Sequence, residues 1–210
     1  MIEFPDPSEA DEEGLLAVGG NLRPETILAA YINGIFPWSE KPLTWWSPDP
    51  RGIFELDQFS ASRRLLRKMR QGKFTFTHDQ AFKEVIQASA KPRSKDDGVW
   101  LGPRMINAYV RLHSLGHAHS VECWCEGELV GGIYGVTLGA LFAGESMFSR
   151  VSDGSKMALT HLIDHLRARG FLLFDVQMIN QHTESLGAVE ISRTEYLRRL
   201  NEAIAKRCTF

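Results

Sequence analysis

Phe171-Leu172-Leu173-Phe174-Asp175-Val176-Gln177 is the stretch on which the fold turns. Its first four residues form a continuous apolar run, the mark of a strand covered on both faces. Asp175 stands at the end of that run. Side chains alternate along a strand, so Asp175 and Gln177 are expected on one face and Val176 on the other. A carboxylate there must find partners or shift its pKa. Two readings stay open. Asp175 and Gln177 belong to an active site, or Asp175 caps the next turn or pairs with an arginine.

Working outward, Gly170 ends a helix in which Leu159, Leu162, Ile163 and Leu166 recur at helical spacing, with Ser152 or Asp153 as its cap. Before that helix, Leu129–Val136 and Ala140–Phe148 read as two strands turned around Gly139, and His119–Cys125 as a third. Strands, a crossover helix and a buried strand make a βαβ unit in an α/β or α+β domain. Helices are expected from Pro24 to Asn33, near Gln80–Ala90 and from Pro103 to Leu115, and a strand over Phe74–Thr77. The segment from Phe36 to Arg51 holds Pro37, Pro48 and Pro50. Those prolines forbid regular helix and interrupt a sheet ladder, so an ordered loop carrying three tryptophans is expected. Ser60–Lys73 reads as a helix capped by Ser62. Arg63, Arg64, Arg67, Lys68, Arg70 and Lys73 lie in it without an acid, either as a solvated face or as a phosphate-binding patch.

The 210 residues carry a formal net charge of −2, so nucleic-acid contact requires a local basic patch. Three cysteines, two of them one residue apart, do not form a disulfide framework and point to a reducing compartment. No metal is expected: Cys123 and Cys125 lack further ligands at suitable spacing, and His161 and His165 lack the accompanying glutamate of the metalloprotease pattern. The N-terminus has neither the basic start nor the apolar run of a signal peptide. The uncharged stretch Leu129–Gly144 is too short and glycine-rich for a membrane span. A Gly-x-Ser-x-Gly elbow, a phosphate-binding Walker loop and a dinucleotide fingerprint are all absent from the sequence.

Several blocks together resemble the bacterial leucyl/phenylalanyl-tRNA–protein transferases. They are Gly14 to Gly20, Gly34 to Trp38, Trp45-Trp46-Ser47-Pro48-Asp49-Pro50-Arg51, Leu112 to Glu122, Gly144-Glu145-Ser146-Met147-Phe148-Ser149-Arg150, Asp175-Val176-Gln177 and Ser185 to Ala188. They run in family order over nearly the whole chain. The resemblance implies an α+β fold: a small N-terminal α/β domain, residues 1–60, packed on a GNAT-like (acetyltransferase-like) C-terminal catalytic domain, residues 61–210. It implies transfer of Leu, also Phe and Met, from aminoacyl-tRNA to the α-amino group of proteins beginning with Arg or Lys, which marks them for degradation under the N-end rule. A cytoplasmic monomer without cofactor or membrane contact is expected.

The family's acid–amide pair matches Asp175 and Gln177. Asp175 would orient the amine and help remove its proton, and Gln177, which cannot act as a base, would hold the amine or the carbonyl. Glu145 would meet the acceptor's cationic side chain, with Asn180 as a further polar contact. Ile133 and Phe142 would line the slot for Leu or Phe, and Trp38 and Trp100 would stack on the terminal adenosine. Arg63, Arg64, Arg67 and Lys68 would hold acceptor-stem phosphates. Three positions depart from the family's usual residues: Val176 for Cys, Val99 for Thr and Ile133 for Met. Two alternative readings fit the residues less well. An acetyl-CoA-dependent N-acyltransferase needs a pyrophosphate-binding turn, but Arg150-Val151-Ser152-Asp153-Gly154-Ser155 places an aspartate there. A non-catalytic binder of basic N-termini leaves Asp175 and Gln177 without a task.

Overall fold

Proline at the first helical position and a left-handed glycine past the end delimit α1 (Pro24–Ile32), as its sequence foretold. Gly34 has φ +73°, and a Cβ there would come within 2.6 Å of Leu197. The computed structural model describes residues 3–91 and 101–210. Among them are seven α-helices and two sheets.

The smaller sheet has the order β1-β3-β2, built from β1 (Leu15–Val18), β2 (Phe36–Glu40) and β3 (Leu43–Trp46). The loop expected over Phe36–Arg51 is therefore corrected. Its first part is an antiparallel hairpin. Proline is tolerated because Pro37 lies on β2, an edge strand whose outer side needs no N–H donor, beside an irregularity between Pro37 and Ser39. Trp45 is 2% exposed and donates its indole N–H to the Gly19 carbonyl at 2.9 Å.

The larger sheet runs β10-β4-β9-β8-β7-β6-β5. Its strands are β4 (Arg51–Phe54), β5 (Phe74–His78), β6 (Ala118–Cys125), β7 (Glu128–Leu138), β8 (Leu141–Ser149), β9 (Leu173–Gln177) and β10 (Val189–Ile191). All neighbours are antiparallel except β8 and β9, which α5 (Gly154–Arg169) joins as the expected βαβ unit. Gly139, at φ +55°, turns β7 into β8 with two residues, as read from the sequence. On one face, α3 (Phe82–Ser89), α4 (Pro103–Ser114) and α1 share a core with Tyr134 and Val136 of β7. On the other, Met157, Leu159, Leu162 and Leu166 of α5 pack with Val130, Ile133 and Phe142. Helix α7 (Arg193–Ala205) closes a third cluster through Tyr196, Leu200 and Ala203 against Ile53 and Leu173. Helix α2 is shorter than the expected Ser60–Lys73, spanning Arg63–Met69, with Ser62 capping it by accepting the Leu65 N–H.

Imidazoles gather where β5 meets α5. His78 lies 4.2 Å from His165 and 5.1 Å from His161, ring centre to ring centre. Burial lowers the basicity of all three, and His165, which also faces His78 and Arg169, is pushed down to about 4. In the unfolded chain an imidazole protonates near 6.5. The stability held by this cluster is thus whole above that pH and is lost as the pH falls towards 4. Wild type is expected to lose more melting temperature than His165→Leu between about pH 7.5 and about pH 5. Equal losses in thermal melts at the two pH values would show that the cluster contributes no such dependence.

Candidate active site

Strands β8 and β9 pair only from Leu141↔Leu173 to Ala143↔Asp175. Beyond that point β8 continues to Ser149 and β9 to Gln177 without mutual pairing, and a cavity of about 380 Å³ opens beside the gap. Glu145 falls at an irregularity of the β7–β8 ladder, between Ser146, which pairs with Tyr134, and Gly144, which pairs with Gly135. A bulge of this kind re-aims a side chain. Gln177 has φ +59°, rare for a residue with a side chain. The two side chains meet across the gap, Gln177 Nε2 donating to Glu145 Oε1 at 2.9 Å.

Asp175 lies elsewhere. It is fully buried and does not line the cavity. Arg51, also fully buried, grips it with two bonds: Nε to Oδ1 at 2.9 Å and Nη2 to Oδ2 at 2.7 Å. The Tyr196 hydroxyl donates to Oδ2 at 2.8 Å, and the Gln177 backbone N–H to Oδ1 at 2.8 Å. Asp175, expected from the sequence to orient the acceptor amine, is not among the residues that line the cavity. Its oxygens are committed to Arg51, Tyr196 and Gln177, as the arginine-pairing alternative anticipated. Arg51 is held in turn by the Gly34 carbonyl at 2.9 Å and lies between the rings of Phe36 and Tyr196, 4.8 and 4.2 Å from their centres.

Glu145 lines the cavity. Tyr31 donates to its Oε1 at 2.6 Å and Tyr109 to its Oε2 at 2.8 Å. Burial raises the carboxyl pKa to about 7, with the negative charge of Asp175 adding to it and the hydrogen bonds from Tyr31, Tyr109 and Gln177 opposing it. Burial likewise raises Tyr31 and Tyr109 well above the ordinary phenol value, so both remain hydroxyl donors at neutral pH.

Ile133, Met147, Leu159 and Phe174 line the cavity. Phe142 is fully buried and does not line the cavity, and its ring lies edge-on to Phe174 at 5.3 Å. Trp38 lines the cavity and is 41% exposed, with its ring 6.1 Å from that of Trp46. Trp100 and Val99 lie outside the described residues. Asn180 reaches the cavity, but its Oδ1 caps the helix Gln181–Ser185 (α6) by accepting the N–H groups of His182 and Thr183. Arg63, Arg64 and Arg67 are exposed on α2. Lys68 differs from them: it is partly buried and donates to the Ser152 carbonyl at 2.6 Å and to Asp153 at 3.1 Å. Asp153 thereby occupies the start of α5 with a carboxylate, where an acyl-CoA pyrophosphate would need backbone donors. Sequence reading missed Arg51, Tyr31, Tyr109 and Tyr196 as site members. For Arg51 a signal existed, since it ends the Trp-Trp-Ser-Pro-Asp-Pro-Arg block.

The sequence profile of the leucyl/phenylalanyl-tRNA protein transferases matches residues 53–201, and that of their N-terminal domain matches residues 20–49. The leucyl/phenylalanyl-tRNA–protein transferase of Stutzerimonas stutzeri is 51% identical over 203 residues, covering 95% of this chain and 90% of that one. That of Syntrophobacter fumaroxidans is 52% identical over 204 residues, covering 96% and 87%. That of Aromatoleum aromaticum is 50% identical over 198 residues, covering 92% and 84%. With matches of this extent on both sides of residue 50, the chain belongs to the leucyl/phenylalanyl-tRNA protein transferase family.

Proposed function

We propose that this protein transfers Leu, Phe or Met from aminoacyl-tRNA to the α-amino group of a protein beginning with Arg or Lys, marking that protein for degradation. The Gln177–Glu145 pair across the strand gap, set against an apolar cavity, carries this reading. The aminoacyl ester is already activated, so the protein must chiefly position it and move a proton. The Leu or Phe side chain enters among Ile133, Met147, Leu159 and Phe174, and Trp38 stacks on the terminal adenosine. The amine attacks the ester carbonyl, the new C–N bond forms, and the ester C–O bond breaks. The amine's proton passes to Glu145, which returns it to the departing ribose oxygen. An N-terminal amine has a pKa of about 8, close enough to Glu145 for efficient exchange. Gln177 holds the amine or the carbonyl in line, and Asp175 acts through the Gln177 backbone that it fixes. Glu145 also supplies negative charge for a cationic acceptor.

The parting of parallel β8 and β9 supports a GNAT-like arrangement of the larger sheet. In the proposed two-domain division, the three-stranded sheet belongs to the small N-terminal unit, while β4 passes from the first 60 residues into the larger sheet. No helix among the described residues is long and apolar enough to cross a membrane. A cytoplasmic monomer using no cofactor is the proposed working form.

Incubation with Leu-tRNA and a peptide beginning with Arg should yield a Leu-Arg N-terminus by mass spectrometry. Acylation from acetyl-CoA, with none from charged tRNA, would overturn the reading. Neutralising Arg63, Arg64 and Arg67 should weaken tRNA binding and flatten its salt dependence by roughly 0.7–0.9 per contact removed. An unchanged slope would make α2 a solvated face.

A further inference from the structure

Among the described residues five arginines pair with carboxylates: Arg51 with Asp175, Arg64 with Asp153, Arg167 with Asp164, Arg198 with Glu195 and Glu202, and Arg199 with Glu55 and Glu195. Arg23, Arg104 and Arg111 are exposed, and no ion pair joins any of them to a carboxylate among the described residues. All three line one groove of about 610 Å³ between the start of α1 and the outer face of α4. Arg104, Ala108 and Arg111 recur at helical spacing, so they share one face of α4. That helix contains no acidic residue. Glu25 is the single acid in the groove against three guanidinium groups.

The helix that carries two of these arginines starts close to the cavity wall. Leu101 lines the cavity, and α4 begins two residues later at Pro103. Glu40 of β2, the strand that carries the cavity-lining Trp38, accepts the Met105 N–H at 3.0 Å and so ties the start of α4 to that strand. From Arg104 to Arg111 the helix carries guanidinium groups about 10 Å away from that point, at 1.5 Å per residue.

We propose that the α1–α4 groove binds backbone phosphates of the aminoacyl-tRNA donor, forming a second phosphate-binding surface separate from α2. This rests on the aminoacyl-tRNA reading of the cavity. A donor whose aminoacyl end lies in the cavity must lead its phosphate chain out past the mouth, where unpaired arginine meets it with forked donors suited to phosphate. The positive charge also argues against the groove as a seat for the basic N-terminus of the acceptor, which it would repel.

The test compares two donors in Arg104→Glu/Arg111→Glu and in the milder Arg104→Gln/Arg111→Gln. One donor is Leu-tRNA, and the other is the leucyl ester of adenosine, which has no phosphate. For the charge-reversal variant, KM for Leu-tRNA is expected to rise about tenfold relative to KM for the short donor. Its salt dependence should flatten by roughly 1.5, two contacts at 0.7–0.9 each. The glutamine variant should fall between this and wild type. Equal loss with both donors, or an unchanged KM for Leu-tRNA, overturns the groove assignment; the second result is also what a groove for an acidic protein would give. If wild type itself transfers nothing from Leu-tRNA, the underlying reading fails, whereas active wild type with indifferent variants removes the groove alone.

Discussion

Glu145→Gln is expected to lower kcat by about 10²–10⁴-fold, the range that a positioned general base contributes. The substitution keeps the shape and part of the bonding to Tyr31, Tyr109 and Gln177, but removes the proton acceptor. In wild type the rate should rise with pH through the Glu145 pKa of about 7. The variant should lose that limb and keep only the acceptor amine's own titration, at about 8. The measurement is kcat at saturating donor and acceptor across that pH range. Activity within threefold of wild type, or an unaltered pH profile, would show that Glu145 takes no proton.

The same substitution carries a stability consequence of opposite sign. Because burial raises the Glu145 pKa from 4.5 to about 7, the folded state keeps a proton that the unfolded state has already released in that window. The stability from this group is therefore whole below 4.5 and is lost as the pH rises through 7. Glu145→Gln should melt above wild type at about pH 8, and the gap should shrink towards pH 4.5. A gain in stability alongside a loss of rate is the trade-off expected of a group held in an unfavourable place for its chemistry.

Arg51→Met should destabilise the protein by about 3–5 kcal/mol, because it leaves the fully buried Asp175 carboxylate without its cation. Two charge-assisted bonds, the contact to the Gly34 carbonyl and the packing between Phe36 and Tyr196 go with it. The urea midpoint should fall with little change in slope. Adding Asp175→Leu should restore part of the loss, since two apolar groups in place of a buried pair leave no orphaned charge. Both variants should transfer poorly, because Asp175 Oδ1 accepts the Gln177 N–H and so helps hold its left-handed backbone. A loss below about 1 kcal/mol in Arg51→Met would mean that the carboxylate finds water or another partner.

Local pattern carried much of the architecture. The apolar run before Asp175, the helical spacing of Leu159 to Leu166 and the turn at Gly139 sufficed for the parallel β8–β9 unit and its hairpin. Pro24, Ser62 and Gly170 marked helix ends, since caps depend on residues within one turn. The family blocks identified the chain. The Pro37 segment was misread because whether proline breaks a ladder depends on strand order, and β2 proved to be an edge. Which acid faces the cavity was not legible either. Asp175 meets Arg51 124 positions away, and Glu145 meets Tyr31 and Tyr109 at 114 and 36 positions. Periodicity and capping are set by neighbours in the chain, so the sequence by itself determined the elements and the family. Burial, ion pairing and the pKa of Glu145 arise from groups that only chain closure brings together, so the tertiary structure alone decided that Asp175 is a buried anchor and Glu145 the carboxylate at the cavity.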